Sequence, residues 1–147
     1  MDEARSGLSA MLGVDASELS FGPSTTQNTY VLSQAFRQML EVGDAIIVTN
    51  QDHEANSGPW RRLADAGIEI REWCVDPDSG SLEIEALEQL LDQLVKLVCF
   101  PHCSNIVAEI NPVQTITQWI REAGAVSCVD GVSYAPHGLP NVCDLGS

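Results

Sequence analysis

Lysine is almost missing from this chain. Lysine and arginine together number seven against 21 acidic residues, a net charge of −14, and Lys96 is the only lysine. So acidic a surface repels phosphate backbones, which argues against a nucleic-acid partner and accounts for solubility instead. No apolar run approaches membrane-spanning length, and the opening MDEARSGLSAMLG lacks the basic-then-apolar order of a signal peptide. No membrane partner is expected, and the cytoplasm is the expected location. A glycine-rich dinucleotide fingerprint and a Walker motif are both missing, which weakens a nucleotide reading. Cysteines at 74, 99, 103, 128 and 143 are odd in number and irregular in spacing, against a disulfide framework and for a reducing compartment. Cys99, His102 and Cys103 are close enough in sequence to suggest a metal site. Without a second such pair they read better as small buried residues near a strand, so no metal is expected. Repeats, linkers and low-complexity segments are lacking too, which leaves one domain.

What is present is an ordinary globular composition, 44% hydrophobic and 19% charged, in a chain long enough for a real core. Residues 2–13 suit an amphipathic helix with Leu8, Met11 and Leu12 on one side and Gly13 as its stop. A short strand is expected at 18–21, followed by the hydroxyl-rich turn Ser24-Thr25-Thr26 that opens a long helix. Leu32, Ala35, Phe36, Met39 and Leu40 recur there as a core-facing stripe. Residues 45–49 are wholly apolar, like a strand inside a parallel sheet. A helix carrying Trp60, Leu63 and Ala64 ends near Gly67, and 68–74 alternates as a strand nearer a sheet edge. Asp76-Pro77-Asp78-Ser79-Gly80 is a turn in which Pro fixes φ and Gly permits the reversal, before a helix marked by Leu87, Leu90, Leu91 and Leu94. Residues 97–138 form a βαβ unit: a strand at 97–100 stopped by Pro101, a helix starting at Pro112 with Val113, Ile116, Thr117 and Ile120 inward, and a strand at 125–129. This alternation predicts an α/β fold, a mostly parallel sheet with helices on both faces.

Every polar tip follows a strand: Thr25 and Thr26, then His53, then Asn105, then Asp130. A parallel sheet brings such tips to one edge, the edge at which open α/β sheets bind ligands. The Ser24-Thr25-Thr26 turn suits an anion, through free amides, the helix dipole and hydroxyls, but it serves equally as an N-cap. His53 is a base, a ligand, a flat stacking surface or a structural residue. Asp130 needs a cationic or hydrogen-bonding partner, and a salt bridge or a cap on the next turn would satisfy it too.

The segments STTQNTYVLSQAF (24–36), DHEANSGPW (52–60), HCSNIVAEINP (102–112) and VDGVSYAPHG (129–138) together resemble the class V aminotransferase family of fold-type I pyridoxal-phosphate enzymes, in its cysteine desulfurase-like branch. The resemblance implies pyridoxal 5′-phosphate as cofactor, amino acids as small-molecule substrates, transferase or lyase chemistry through a carbanion at the substrate α-carbon, and a homodimer for the whole enzyme. It assigns Thr26, with Thr25 beside it, to the phosphate and His53 to stacking on the pyridine ring. Asn105 falls to the ring hydroxyl and substrate, and Asp130 to the pyridine nitrogen. Ser133 joins this set where desulfurases often carry a glutamine. The family's Schiff-base lysine is expected beyond Asp144-Leu145-Gly146, outside residues 1–147, and Lys96 lies at the wrong end of its strand. The resemblance therefore implies a partial large domain, truncated at both ends and inactive alone. It also implies that the strand at 18–21 is separated from the sheet or loosely paired, and that 125–129 forms an exposed edge. The alternative is a non-catalytic, anion-binding α/β module built on the Thr25–Thr26 helix start.

Overall fold

A computed structural model describes residues 2–139 and 141–146. Its centre is a four-stranded, all-parallel sheet of β1 (Ala45–Thr49), β2 (Glu69–Trp73), β3 (Val95–Pro101) and β4 (Val126–Asp130), in the order β2-β1-β3-β4. All five residues of β1 are buried, because the strand is covered on both faces. On one face Ala45, Ile47, Val98 and Phe100 pack with Leu87 of α4 (Ile84–Leu90) and with Val113, Ile116 and Ile120 of α5 (Val113–Glu122). On the other, Ile46, Val48, Leu97 and Cys99 pack with Trp60 of α3 (Glu54–Arg61) and with Leu63. The α/β architecture with helices on both faces is the one the sequence predicts.

Two more helices precede the sheet, α1 (Asp2–Leu12) and α2 (Thr25–Arg37), and a short α6 (Val142–Leu145) follows it. No strand forms at 18–21. Ala16–Glu18 is a 3-10 turn, in which Asp15 and Glu18 make a reciprocal capping box. The following carbonyl, of Leu19, accepts from Arg5, whose guanidinium lies 5.0 Å from the Phe21 ring centroid. The backbone groups of Glu18 and Leu19 are thus engaged outside the sheet.

The expected stripe of α2 is also displaced. The helix rests on α3 rather than on the sheet, and its inward line runs Thr29, Ser33, Phe36 and Leu40; Phe36 meets Trp60 edge-on at 6.1 Å. Leu32 and Met39 are exposed, at 48% and 75%. Met11 of α1 is exposed as well. Thr29 and Ser33 are the buried residues of the helix, and the larger Leu32 lies on its outer side. Leu91 and Leu94 fall outside α4, because Arg71 donates to the Leu90 carbonyl at 2.7 Å and pairs with Asp92 at 3.0 Å, ending the helix there.

Smaller shifts affect the βαβ unit. Pro101 is the last residue of β3 and pairs in register with Asp130, which closes β4 rather than following it. Pro112 is the N-cap of α5, so the helix begins at Val113, one residue later than expected. β4 is an edge strand, with Val126 54% exposed. Among the described residues no helix is long and apolar enough to cross a membrane.

Candidate functional site

At the carboxyl edge of the sheet, the loop after β1 turns directly into α3. His53 is the N-cap of that helix, and its Nδ1 accepts the Ala55 N–H at 3.0 Å. A ring nitrogen that accepts is unprotonated, so the neutral imidazole carries its hydrogen on Nε2. The cap fixes the ring at the helix start. Asp52 completes the turn: its Oδ1 accepts the His53 N–H at 2.8 Å, and its other oxygen accepts from the Asn56 side-chain amide.

Opposite this turn is the start of α2. Ser24 caps it, its Oγ accepting the Gln27 N–H at 3.3 Å. The amides of Thr25 and Thr26 lie in the first helical turn, where the helix itself supplies no acceptor and the dipole favours negative charge.

The loop after β3 is held from below by a buried polar network. Asn111 Nδ2 donates to Gln51 Oε1 and to the Pro101 carbonyl, both at 2.7 Å, while Gln51 Nε2 donates to the Gly80 carbonyl at 3.0 Å. Ser104 Oγ donates to the Gln51 carbonyl at 3.0 Å and accepts the amides of Ile106 and Val107. These bonds tie the β1 tip to the loop that carries Asn105. At the end of β4, Asp130 Oδ1 accepts the Val132 N–H at 2.8 Å, and the Asp130 carbonyl accepts the His102 N–H at 2.8 Å. The His102 ring stacks on Tyr134, with centroids 3.6 Å apart. Burial pushes the His102 pKa down, which favours a neutral ring against its aromatic neighbour.

All six residues singled out in the sequence line one cavity of about 380 Å³: Thr25, Thr26, His53, Asn105, Asp130 and Ser133. Ser24, Asp52, Ala55, Pro101, Cys103 and Val132 complete the wall. A second cavity of about 520 Å³ shares Ser24, Thr26, His53 and Ala55 and runs on between α2 and α3 to Tyr30 and Arg62. Cys99 is fully buried and Cys103 nearly so. For Asp130, the cap on the following turn is present. Among the described residues no salt bridge to it is formed.

Sequence reading missed Asp52, which is 8% exposed and lines the cavity beside Asp130. Burial, reinforced by the charge of Asp130 and opposed by the Asn56 hydrogen bond, pushes its carboxyl up to about 6. It also missed Gln51, Ser104 and Asn111. A buried amide just before the Pro112 cap and a serine opening a turn were the available signals.

The family model Aminotransferase class-V matches residues 1–147. The chain is 36% identical over 149 residues to an aminotransferase-like protein of Gibberella zeae, covering 99% of this chain and 37% of that protein. It is 34% identical over 152 residues to a cysteine desulfurase of Serratia proteamaculans, with the same two coverages, 99% and 37%. It therefore spans about 37% of the length of the curated relatives it matches. A cysteine desulfurase structure from Thermococcus onnurineus aligns with a TM-score of 0.92 at 26% identity, covering 99% of this chain and 36% of that one. The cysteine desulfurase CsdA of Escherichia coli aligns at 0.90 and 24% identity, over 97% and 36%, a likeness of fold. With the family model matched over residues 1–147, this chain belongs to the class-V aminotransferase family.

Proposed function

We propose that the 380 Å³ cavity is a cradle for pyridoxal 5′-phosphate and that residues 1–147 are the cofactor-holding part of a large domain. The whole enzyme would act on amino acids as a homodimer, by transferase or lyase chemistry of the aminotransferase or desulfurase type. The observation that supports this most is that three complementary chemistries line one cavity: an anion-binding helix start, a flat neutral imidazole and a carboxylate.

The donor set fits the group. Thr25 and Thr26 offer hydroxyls and first-turn amides to a phosphate dianion. The His53 ring, fixed by its cap, offers a flat face to a pyridine ring. Asp130 commits Oδ1 to Val132, which leaves Oδ2 as the acceptor for a protonated ring nitrogen. Asn105 and Ser133 offer hydrogen bonds to a ring hydroxyl. When bound, the cofactor supplies an electron sink for a carbanion at the substrate α-carbon. Asp130 sustains that sink by holding the nitrogen protonated. Lys96 cannot supply the amine that such chemistry needs, because its Nζ pairs with Asp44 at 3.6 Å at the amino end of the sheet. This chain alone is therefore expected to bind the cofactor without turnover.

The test is titration of the chain with pyridoxal 5′-phosphate, followed by tryptophan fluorescence. Thr26→Val, His53→Ala and Asp130→Asn should each weaken binding, by roughly tenfold where a hydrogen bond to a charged group is lost. If binding were matched by inorganic phosphate and survived His53→Ala and Asp130→Asn, the site would be a plain anion site and the cradle reading would fail.

A further inference from the structure

We propose that Asp52 is a second acid of the ring-nitrogen site, a positioning residue that fixes His53 and adds its own negative charge to that of Asp130, so that the site holds a protonated pyridine ring more tightly as pH rises. This rests on the cofactor reading above.

The geometry carries it. Asp52 lies beyond β1 and Asp130 at the end of β4, with β3 between the two strands, yet both line the same cavity. Asp52 is 8% exposed, and the described hydrogen bonds to it come from neutral groups, the His53 backbone amide and the Asn56 side chain. Among the described residues no arginine or lysine forms an ion pair with it. Neither donor needs a charged acceptor, since Asn at this position would keep one of the two bonds without burying charge. A buried acid beside a second acid is unfavourable until a cation joins them.

The titratable groups facing Asp52 are His53 beside it, Asp130 from β4, and the thiols of Cys99 on β3 and Cys128 on β4, both of which feel its charge. None of these supplies a fixed positive charge. Burial first, then the field of Asp130, raises its carboxyl to about 6, so the acid changes charge within the working range. The sign follows. A cation bound between the two carboxylates favours ionised Asp52, so binding releases a proton, and affinity climbs as pH passes through about 6 before levelling.

The probe is 4-deoxypyridoxine 5′-phosphate, which keeps the ring and phosphate but cannot form a covalent adduct. Its affinity is measured by calorimetry from pH 5 to 7.5 for the wild-type chain and for Asp52→Asn, Asp52→Glu and Asp130→Asn. The ionisations of the probe cancel in the ratio of wild-type to variant affinity. That ratio should rise roughly three- to tenfold across the range for Asp52→Asn, the effect of half to one pKa unit of coupling, and Asp52→Glu should flatten it again. A ratio independent of pH would overturn the proposal, leaving Asp52 a structural cap. If Asp130→Asn left affinity unchanged, the cradle reading itself would fail. Weakening by Asp130→Asn with a flat Asp52→Asn ratio would sink only the role of Asp52. A ligand-free readout avoids any folding defect at Asp52: carbon-13 NMR of its carboxyl should show a midpoint near 6 that falls in Asp130→Asn. No fall would refute the coupling.

Discussion

Replacing Asp52 by Asn should make the folded chain more stable at neutral pH and less stable in acid. Its carboxyl stands at about 6 in the fold against an ordinary 3.8, so the native state binds that proton more tightly than the unfolded chain does. Below the ordinary value both states are protonated and nothing is lost. Between the two values stability falls as pH rises, and above about 6 the whole penalty applies. Two units correspond to about 3 kcal/mol. Asn escapes that penalty, but one of the two donors now facing Asp52, the His53 amide or the Asn56 side chain, then meets an NH₂ group. That mismatch costs about 1 kcal/mol. The variant should therefore trail the wild type by about 1 kcal/mol well below pH 3.8 and by about 0.5 kcal/mol at pH 4, cross it near pH 4.5, and lead by about 2 kcal/mol at pH 7.5. Urea unfolding at half-unit steps of pH, under reducing conditions, measures the difference, and every other titrating group cancels in it. A difference that stayed constant from pH 4 to 8 would refute a raised Asp52.

Asn111→Leu should remove about 2–4 kcal/mol in the same unfolding assay, because Gln51 Oε1 and the Pro101 carbonyl would each be buried without a donor. An effect below 1 kcal/mol would mean that water replaces the amide. Ile116→Ala, at a fully buried position of α5, should cost about 3–4 kcal/mol, whereas Met39→Ala, 75% exposed, should stay within about 0.5 kcal/mol. Comparable losses at both would restore the stripe read from the sequence of α2. Val126→Lys on the exposed edge of β4 should reduce self-association in light scattering without lowering the unfolding midpoint.

Legibility followed how locally each feature is determined. The apolar run 45–49 needs both faces covered whatever the neighbours are, so β1 was plain in the sequence. The inward face of α5 was equally plain, because Val113, Ile116 and Ile120 pack with the sheet and Thr117 beside them is buried against α6. The stripe of α2 was read half right, since Phe36 and Leu40 pack on the core while Leu32 and Met39 are exposed, and the helix's partner is another helix. The residues buried there include the polar Thr29 and Ser33, so hydrophobicity alone does not report the buried side. The strand expected at 18–21 failed for a related reason. The short run 18–21 only offers a strand, and the capping box of Asp15 and Glu18 turns the chain into a 3-10 turn at its start.

The site shows the same division at the level of charge. Thr25, Thr26, His53, Asn105, Asp130 and Ser133 could be picked out because each follows a strand or opens a helix, and parallel topology does the gathering. Asp52 stands in the same stretch as His53, and nothing local distinguishes it from a solvated acid. Only the strand order, with β3 between β1 and β4, brings it to the cavity of Asp130. There it costs about 3 kcal/mol at neutral pH, a large share of the 5–15 kcal/mol that holds a domain together. The bonds to the His53 amide and the Asn56 side chain do not require that expense, since an amide would keep one of them and lose only about 1 kcal/mol at the other. A charge retained at such cost, lining one cavity with a second carboxylate and paired with no lysine or arginine among the described residues, is what a site for a cationic ring would demand of its empty state. The two acids destabilise each other until the ring nitrogen arrives, and that stored repulsion becomes binding selectivity for the protonated form.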